Sequence, residues 1–291
     1  MSAVGALLTR IVDYAGLFPP ASLDMDRAVR KFRTYLGGDH AWMLANFVLP
    51  AARLAEFADT FAAICCDEQE QPWTLSVVTS ADSAPEDLQA IDDFQQGAAF
   101  LSAVEIKVPT LTTARSILKI LPRGRAHYVE TAPDRVTKFL PLLASTGARA
   151  KLRTGGIIPE AIPEPEAIAG FLLNSAKARV PFKATAGLHH AVRGVQPLTY
   201  QLGSPTAATY GFLNVFLAAA LAYHGSDEKA LLKTLTEEDP KAFQLDEDAI
   251  AWHDHHMTSD QIERARAEFA IGFGSCSFTE PIDDLKAMGW L

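Results

Sequence analysis

The sequence is poor in cysteine. Cys65 and Cys66 are neighbours and Cys276 stands far from both. An odd number without regular spacing excludes a disulfide framework and points to a reducing compartment. Positive charge is not in excess either: 26 Lys and Arg against 35 Asp and Glu leave a formal net charge of -9. That balance opposes sequence-independent nucleic-acid binding, which needs a basic surface to release counterions. Long hydrophobic runs are missing, and the longest, FLNVFLAAALAY (212–223), is too short to span a bilayer. The opening MSAVGALLTRIVDYAG lacks a charged start, an apolar run and a small-residue cleavage site, so no secretory leader is expected. No GxGxxG follows the first apolar run, and no repeat or low-complexity stretch occurs. The expectation is a cytoplasmic protein that engages neither nucleic acid nor membrane.

What is present is ordinary globular material. Hydrophobic residues make up 48% and charged residues 21% of the 291 positions, enough for a sizeable core. Short apolar runs alternate with longer amphipathic segments. Strands are expected at 14–18, 43–49, 73–79, 103–108, 126–131, 148–153, 180–185 and 271–277. Between them, 51–66 repeats apolar residues at three and four, 133–147 ends in a glycine suited to a left-handed cap, and 163–178 opens with prolines and acids. Eight strand–helix units in about 250 residues match a (β/α)8 TIM barrel; a doubly wound open sheet is the competing arrangement. One barrel domain is expected over 1–291. Its segment between strands seven and eight is extended, with a loop (186–205), an apolar helix (206–224), a second helix (227–236) and a small surface hairpin near 241–256. The apolar helix serves either as barrel wall or as subunit contact, which leaves a homo-oligomer open.

Parallel strands covered on both faces should be almost purely apolar, so charges within them are informative. Strand four offers Glu105 and Lys107, strand five Tyr128 and Glu130, strand six Lys151 and Arg153, strand seven Lys183 and Thr185. Each pair is spaced by two and shares a face, and each second member lies near the C-terminal end, where barrels of this kind carry their reactive groups. Glu105 and Glu130 set two acids against the four bases Lys107, Lys151, Arg153 and Lys183. A structural filler would be balanced, because an unpaired buried charge costs several kcal/mol. The surplus therefore points to a site for an anion, or to an amine of depressed pKa. A lysine so depressed can attack a carbonyl to form a Schiff base, with Glu105 relaying protons.

The stretches AKLRTGG and FKATAG resemble the lysine strands of the deoxyribose-phosphate aldolase group of class I aldolases. The resemblance implies Lys151 as Schiff-base nucleophile, Lys183 as the partner lowering its pKa, and Glu105 in the place of the group's proton-relaying aspartate. Glu105 is a glutamate, strand six adds Arg153, and AGLHHAVRG stands where a phosphate-binding double glycine is expected, so the substrate departs from a simple deoxysugar phosphate. VDYAGLFPPA, FKATAGLHH and FGSCSFTEP also resemble stretches of a bacterial protein family from which no activity carries over.

The loops after strands six to eight bring candidate anion donors: Gly155 and Gly156, Gly274, Ser275 and Ser277, with Arg193 for charge. The other reading of the last loop is an ordinary turn in which Thr279 begins a helix. Of the adjacent His189 and His190, one at most is expected to face the site. Asp13 is expected at the barrel bottom in a stabilising role, Asn46 as a substrate contact or a satisfied amide, and Cys276 as a structural or a reactive thiol. HDHH (253–256) reads as a solvated loop. No metal and no cofactor are assigned. The function expected is an aldolase-type lyase acting on a small anionic carbonyl compound. A carboxylate-based or metal-assisted isomerase or hydrolase, and a non-catalytic binder of an anionic metabolite, remain alternatives.

Overall fold

The computed structural model describes residues 1–65, 71–94 and 97–291. Eight parallel strands close into a barrel. In chain order they are β1 (Val12–Tyr14), β2 (Leu44–Pro50), β3 (Trp73–Ser80), β4 (Ala99–Lys107), β5 (Ala126–Glu130), β6 (Arg149–Arg153) and β7 (Phe182–Thr185). Two small antiparallel sheets follow before the last barrel strand. The first pairs β8 (Gly194–Pro197) with β9 (Thr206–Thr209), and the second holds β10 (Phe243–Leu245), β11 (Ala249–Trp252) and β12 (His255–Thr258). Strand β13 (Ala270–Ser275) then pairs with both β7 and β1 and completes the cylinder. The alternation read from the sequence is thus a TIM barrel.

Period-two alternation sets which side chains face in. On β2, Phe47 and Leu49 point out to the helices while Val48 and Pro50 line the interior cavity. The outward face meets the helices Met25–Leu36 and Leu54–Ile64 in an aromatic cluster, with Phe32 and Trp73 at 4.6 Å and Phe47 and Phe57 at 5.5 Å between ring centroids. Each such aromatic buries a large apolar surface, which holds the strands and so fixes what the inward face presents. Gly147 caps the helix Val136–Thr146 in the left-handed conformation, at φ 72°.

Some boundaries differ from expectation. Strand one covers 12–14 rather than 14–18, since after Tyr14 the chain turns, with Phe18 N–H donating to Ala15 O. Residues 206–209 form a strand paired with 194–197, so the apolar helix begins only at Phe212. Every residue from Phe212 to Ala222 is buried within this chain, which makes the helix barrel wall. The segment near 241–256 holds three antiparallel strands over 243–258. Cys66, the last residue of the expected helix 51–66, lies outside the described residues. Among the described residues no helix is long and apolar enough to cross a membrane.

Candidate active site

A cavity of about 630 Å³ opens at the C-terminal end of the barrel. Its wall includes the last residues of six strands: Pro50, Ser80, Lys107, Glu130, Arg153 and Thr185. Below them, one turn of the pleat deeper, lie Glu105, Lys151 and Lys183. Spacing by two therefore gives two layers, a buried one and one at the mouth.

The buried layer is a chain of ion pairs. Lys183 Nζ donates to Asp13 Oδ2 and, at 2.5 Å, to Glu105 Oε1. Glu105 Oε2 faces Lys151 Nζ at 2.9 Å, and Lys151 reaches Glu130 Oε2 at 2.8 Å. Glu130 Oε1 in turn accepts from Arg153 Nε at 3.0 Å. Neighbouring strands set the order: Lys151 is the register partner of both Glu130 and Lys183. Ser76 Oγ donates to Glu105 Oε1 at 2.5 Å. The far end is held by Asn46, whose backbone N and side-chain Nδ2 donate to Asp13 Oδ1 at 3.0 and 2.7 Å.

The electrostatics follow from this sharing. Complete burial would by itself push the Glu105 carboxyl up; Lys151, Lys183 and the Ser76 hydroxyl instead hold it far below its ordinary 4.5. Glu130 is likewise driven up by burial and brought below its usual value by Lys151 and Arg153. Burial would lower Lys183, but Asp13 and Glu105 raise it above its ordinary 10.5.

Two expectations change here. The surplus of cations is absent: the buried Asp13, Glu105 and Glu130 face the buried Lys151 and Lys183, with Arg153 reaching Glu130 from the mouth. Lys107 stands apart, exposed at the cavity mouth. Lys183 therefore does not act as a bare cation depressing Lys151, because Asp13 and Glu105 neutralise it. Asp13 lies below the cavity in the stabilising role expected of it, anchoring Lys183 from beneath. Asn46 is a satisfied amide, with Ser102 Oγ donating to its Oδ1 at 2.8 Å.

The loop candidates divide. Gly156, Gly274, Thr185 and both histidines line the cavity, against the expectation that at most one histidine would. They sit on a loop rather than a strand, so alternation does not oppose them. His190 Nδ1 lies 3.1 Å from Asp284 Oδ2, which also accepts from Ala191 N at 2.8 Å. Four anion-site candidates are off the cavity wall. Gly155 packs against the Gly187 backbone, where a Cβ would come within 3.2 Å of Gly187 Cα. Arg193 turns to Glu238 at 3.5 Å and lies over the Tyr210 ring. The Ser275 and Ser277 hydroxyls accept from backbone N of Ser277 and Glu280, so Ser277 works as a helix cap and Ser275 as a turn-former.

Sequence reading passed over Asp13 and Ser76 in the network, and Tyr200 and Glu280 at the rim. Asp13 carried the same signal as its partners, a charge inside an apolar strand, but with strand one set two residues late it was read as a stabilising residue and not as a member of the network. Tyr200 and Glu280 reach the cavity from a hairpin and a helix, where no periodicity marks them. Among the described residues, no three His, Cys, Asp or Glu side chains are gathered as a metal ion would require.

No protein-family model matches the sequence, and no curated protein matches it. Among solved structures the chain is similar to one described as QR15, an aldolase, with 14% identity, a TM-score of 0.43 and coverage of 63% of this chain and 83% of that one. It is also similar to a FabK mutant from Thermotoga maritima, with 12% identity, a TM-score of 0.38 and coverage of 66% and 59%.

Proposed function

We propose that this cavity is the active site of a lyase of the class I aldolase type, acting on a small anionic carbonyl compound through an imine on Lys151. One observation carries the reading. Glu105 bridges the two lysines with its two oxygens, 2.5 Å from Lys183 and 2.9 Å from Lys151, at the floor of the cavity. Lys183 is doubly anchored and stays charged. Lys151 is the amine nearer the mouth, between two carboxylates that can accept its proton.

The chemistry runs as follows. As Lys151 Nζ bonds to the substrate carbonyl carbon, an ammonium proton passes to Glu105 Oε2. The carbinolamine oxygen leaves as water, taking that proton back. The protonated imine draws electrons from the adjacent carbon–carbon bond, which breaks, and Glu105 receives the proton that the departing hydroxyl releases. That proton then passes to the carbon of the enamine left on Lys151, and water hydrolyses the resulting imine to release the second carbonyl product and the amine. Lys183 keeps Glu105 oriented and ionised between steps. Arg153 and Lys107 at the mouth supply the positive charge that an anionic substrate meets on entry.

Borohydride reduction in the presence of small aldehydes and ketones tests the proposal. A stable adduct mapped to Lys151, absent in Lys151→Met, is expected. An adduct on Lys183, or none with any carbonyl compound that binds, overturns it.

A further inference from the structure

A second group of reactive side chains lines the same cavity, on the loops that follow β7 and β13 and on the helix after β13. His189 Nδ1 lies 2.7 Å from Glu280 Oε2, and His189 Nε2 lies 3.9 Å from Cys276 Sγ. Tyr200 O–H donates to the same Glu280 oxygen at 3.1 Å and lies 3.8 Å from the sulfur. Nucleophile, base and orienting carboxylate thus follow one another in the order that nucleophilic catalysis requires. Catalytic contacts are often this long in the absence of substrate.

Two further observations point to a ligand here. Cys276, Tyr200 and Glu280 also border an adjoining cavity of about 320 Å³, which Arg27 and Lys31 line with positive charge. Tyr14 shares that wall, and its buried hydroxyl has no hydrogen-bond partner. Gly16 leaves room for it, since a Cβ at that position would fall 2.3 Å from the hydroxyl oxygen. An orphaned buried donor is costly unless a ligand uses it. A Tyr14 O–H beside the thiol is available to an oxyanion.

We infer that Cys276, His189 and Glu280 form a second catalytic centre that takes an acyl group from a small ester or thioester carrying negative charge. The Cys276 sulfur attacks the acyl carbon. The S–C bond forms, the bond to the leaving alcohol or thiol breaks, and His189 Nε2–H protonates the leaving group. Water then attacks the thioester, giving its proton to His189, and the thiolate departs with the free acid as product. Glu280 touches neither reacting atom; it is a positioning residue that sets the imidazole. In keeping with this geometry, His189 is raised to about 9: burial would lower it, and Cys276 and Glu280 overcome that.

This inference does not rest on the Lys151 imine, and its readout is separate from borohydride trapping. The full-length protein is mixed with 4-nitrophenyl acetate, nitrophenolate release is followed, and the acetylated peptide is mapped. Expected is a burst matching the protein concentration, with acetyl on Cys276 and not on Cys65 or Cys66. Cys276→Ala should abolish the burst, and His189→Asn should slow acylation about 100-fold or more. Peptide mapping on the wild-type protein gives an arm free of any folding defect. Acetyl on another residue, no burst, or a His189→Asn rate equal to wild type overturns the inference.

Discussion

The two walls of the cavity are built on different terms. On the strand wall, Glu105, Lys151 and Lys183 are almost wholly buried, every carboxylate oxygen has a donor, and Arg153 at the mouth completes the balance of acids and bases. On the loop wall the side chains of His189 and Glu280 keep 16% and 29% of their surface exposed, and the sulfur contacts are 3.8 and 3.9 Å. The first wall cannot lose a member without stranding a charge in low dielectric. The second can, because water reaches it. Stability should therefore be concentrated in one wall and adaptability in the other.

The largest effect is expected from Glu105→Gln. It leaves Lys151 and Lys183 with one carboxylate fewer, and breaking a buried pair in this way costs about 3–5 kcal/mol. Urea denaturation of the variant measures it. A loss under about 1 kcal/mol would mean that the two walls are energetically alike. The same variant should lose borohydride trapping on Lys151, since the proton has nowhere to go on that side.

Next in size is Asn46→Ala. The change removes one of the two donors on Asp13 Oδ1 and leaves the backbone N–H, at about 1–3 kcal/mol for a buried acceptor partly unmade. Thermal melts check it. Because Asp13 lies beneath Lys183 and off the cavity wall, carbonyl compounds should still bind, with trapping slowed rather than abolished.

The strand wall was legible in the sequence and the loop wall was not, and the reason is geometric. A strand turns residue spacing into facing, so VEIKV, AKLRT and FKAT each announce an inward pair once read as strands. What spacing cannot give is the partner across the barrel. Asp13, 170 residues away from Lys183, together with the separation of Lys107 at the cavity mouth, removed the charge surplus on which the anion argument was built. The loop wall joins residues 189, 200, 276 and 280 through folding alone. FGSCSFTEP showed a cap and a thiol, but nothing in it told that the loop after β7 would lay an imidazole beside them.

pH should separate the walls. Lys183 is raised above its ordinary 10.5, so its contribution to stability is complete below 10.5 and is lost only as pH rises beyond it. His189, ordinarily 6.5 and raised to about 9, contributes fully below 6.5 and loses that contribution as pH climbs through about 9. Between about pH 7 and 9.5 the stability difference between wild type and His189→Asn should shrink, while that between wild type and Glu105→Gln should hold steady. Parallel changes in both would show that the two clusters titrate as one.

The smallest stability effect is expected from Glu280→Gln. The pair it breaks is partly open to solvent, so the loss should stay within about 1 kcal/mol. Its electrostatic effect should be plain all the same. With the carboxylate gone, His189 retains Cys276 as the group that raises it, and burial pulls the other way, so its titration, followed by the imidazole proton resonances, should move down from about 9 toward 6.5. The neutral amide still offers Tyr200 an acceptor, which keeps the hairpin seated and lets the shift be assigned to charge. A variant that instead unfolds as readily as Glu105→Gln would make the loop wall as structural as the strand wall, and the division between a rigid and an adaptable side would fall.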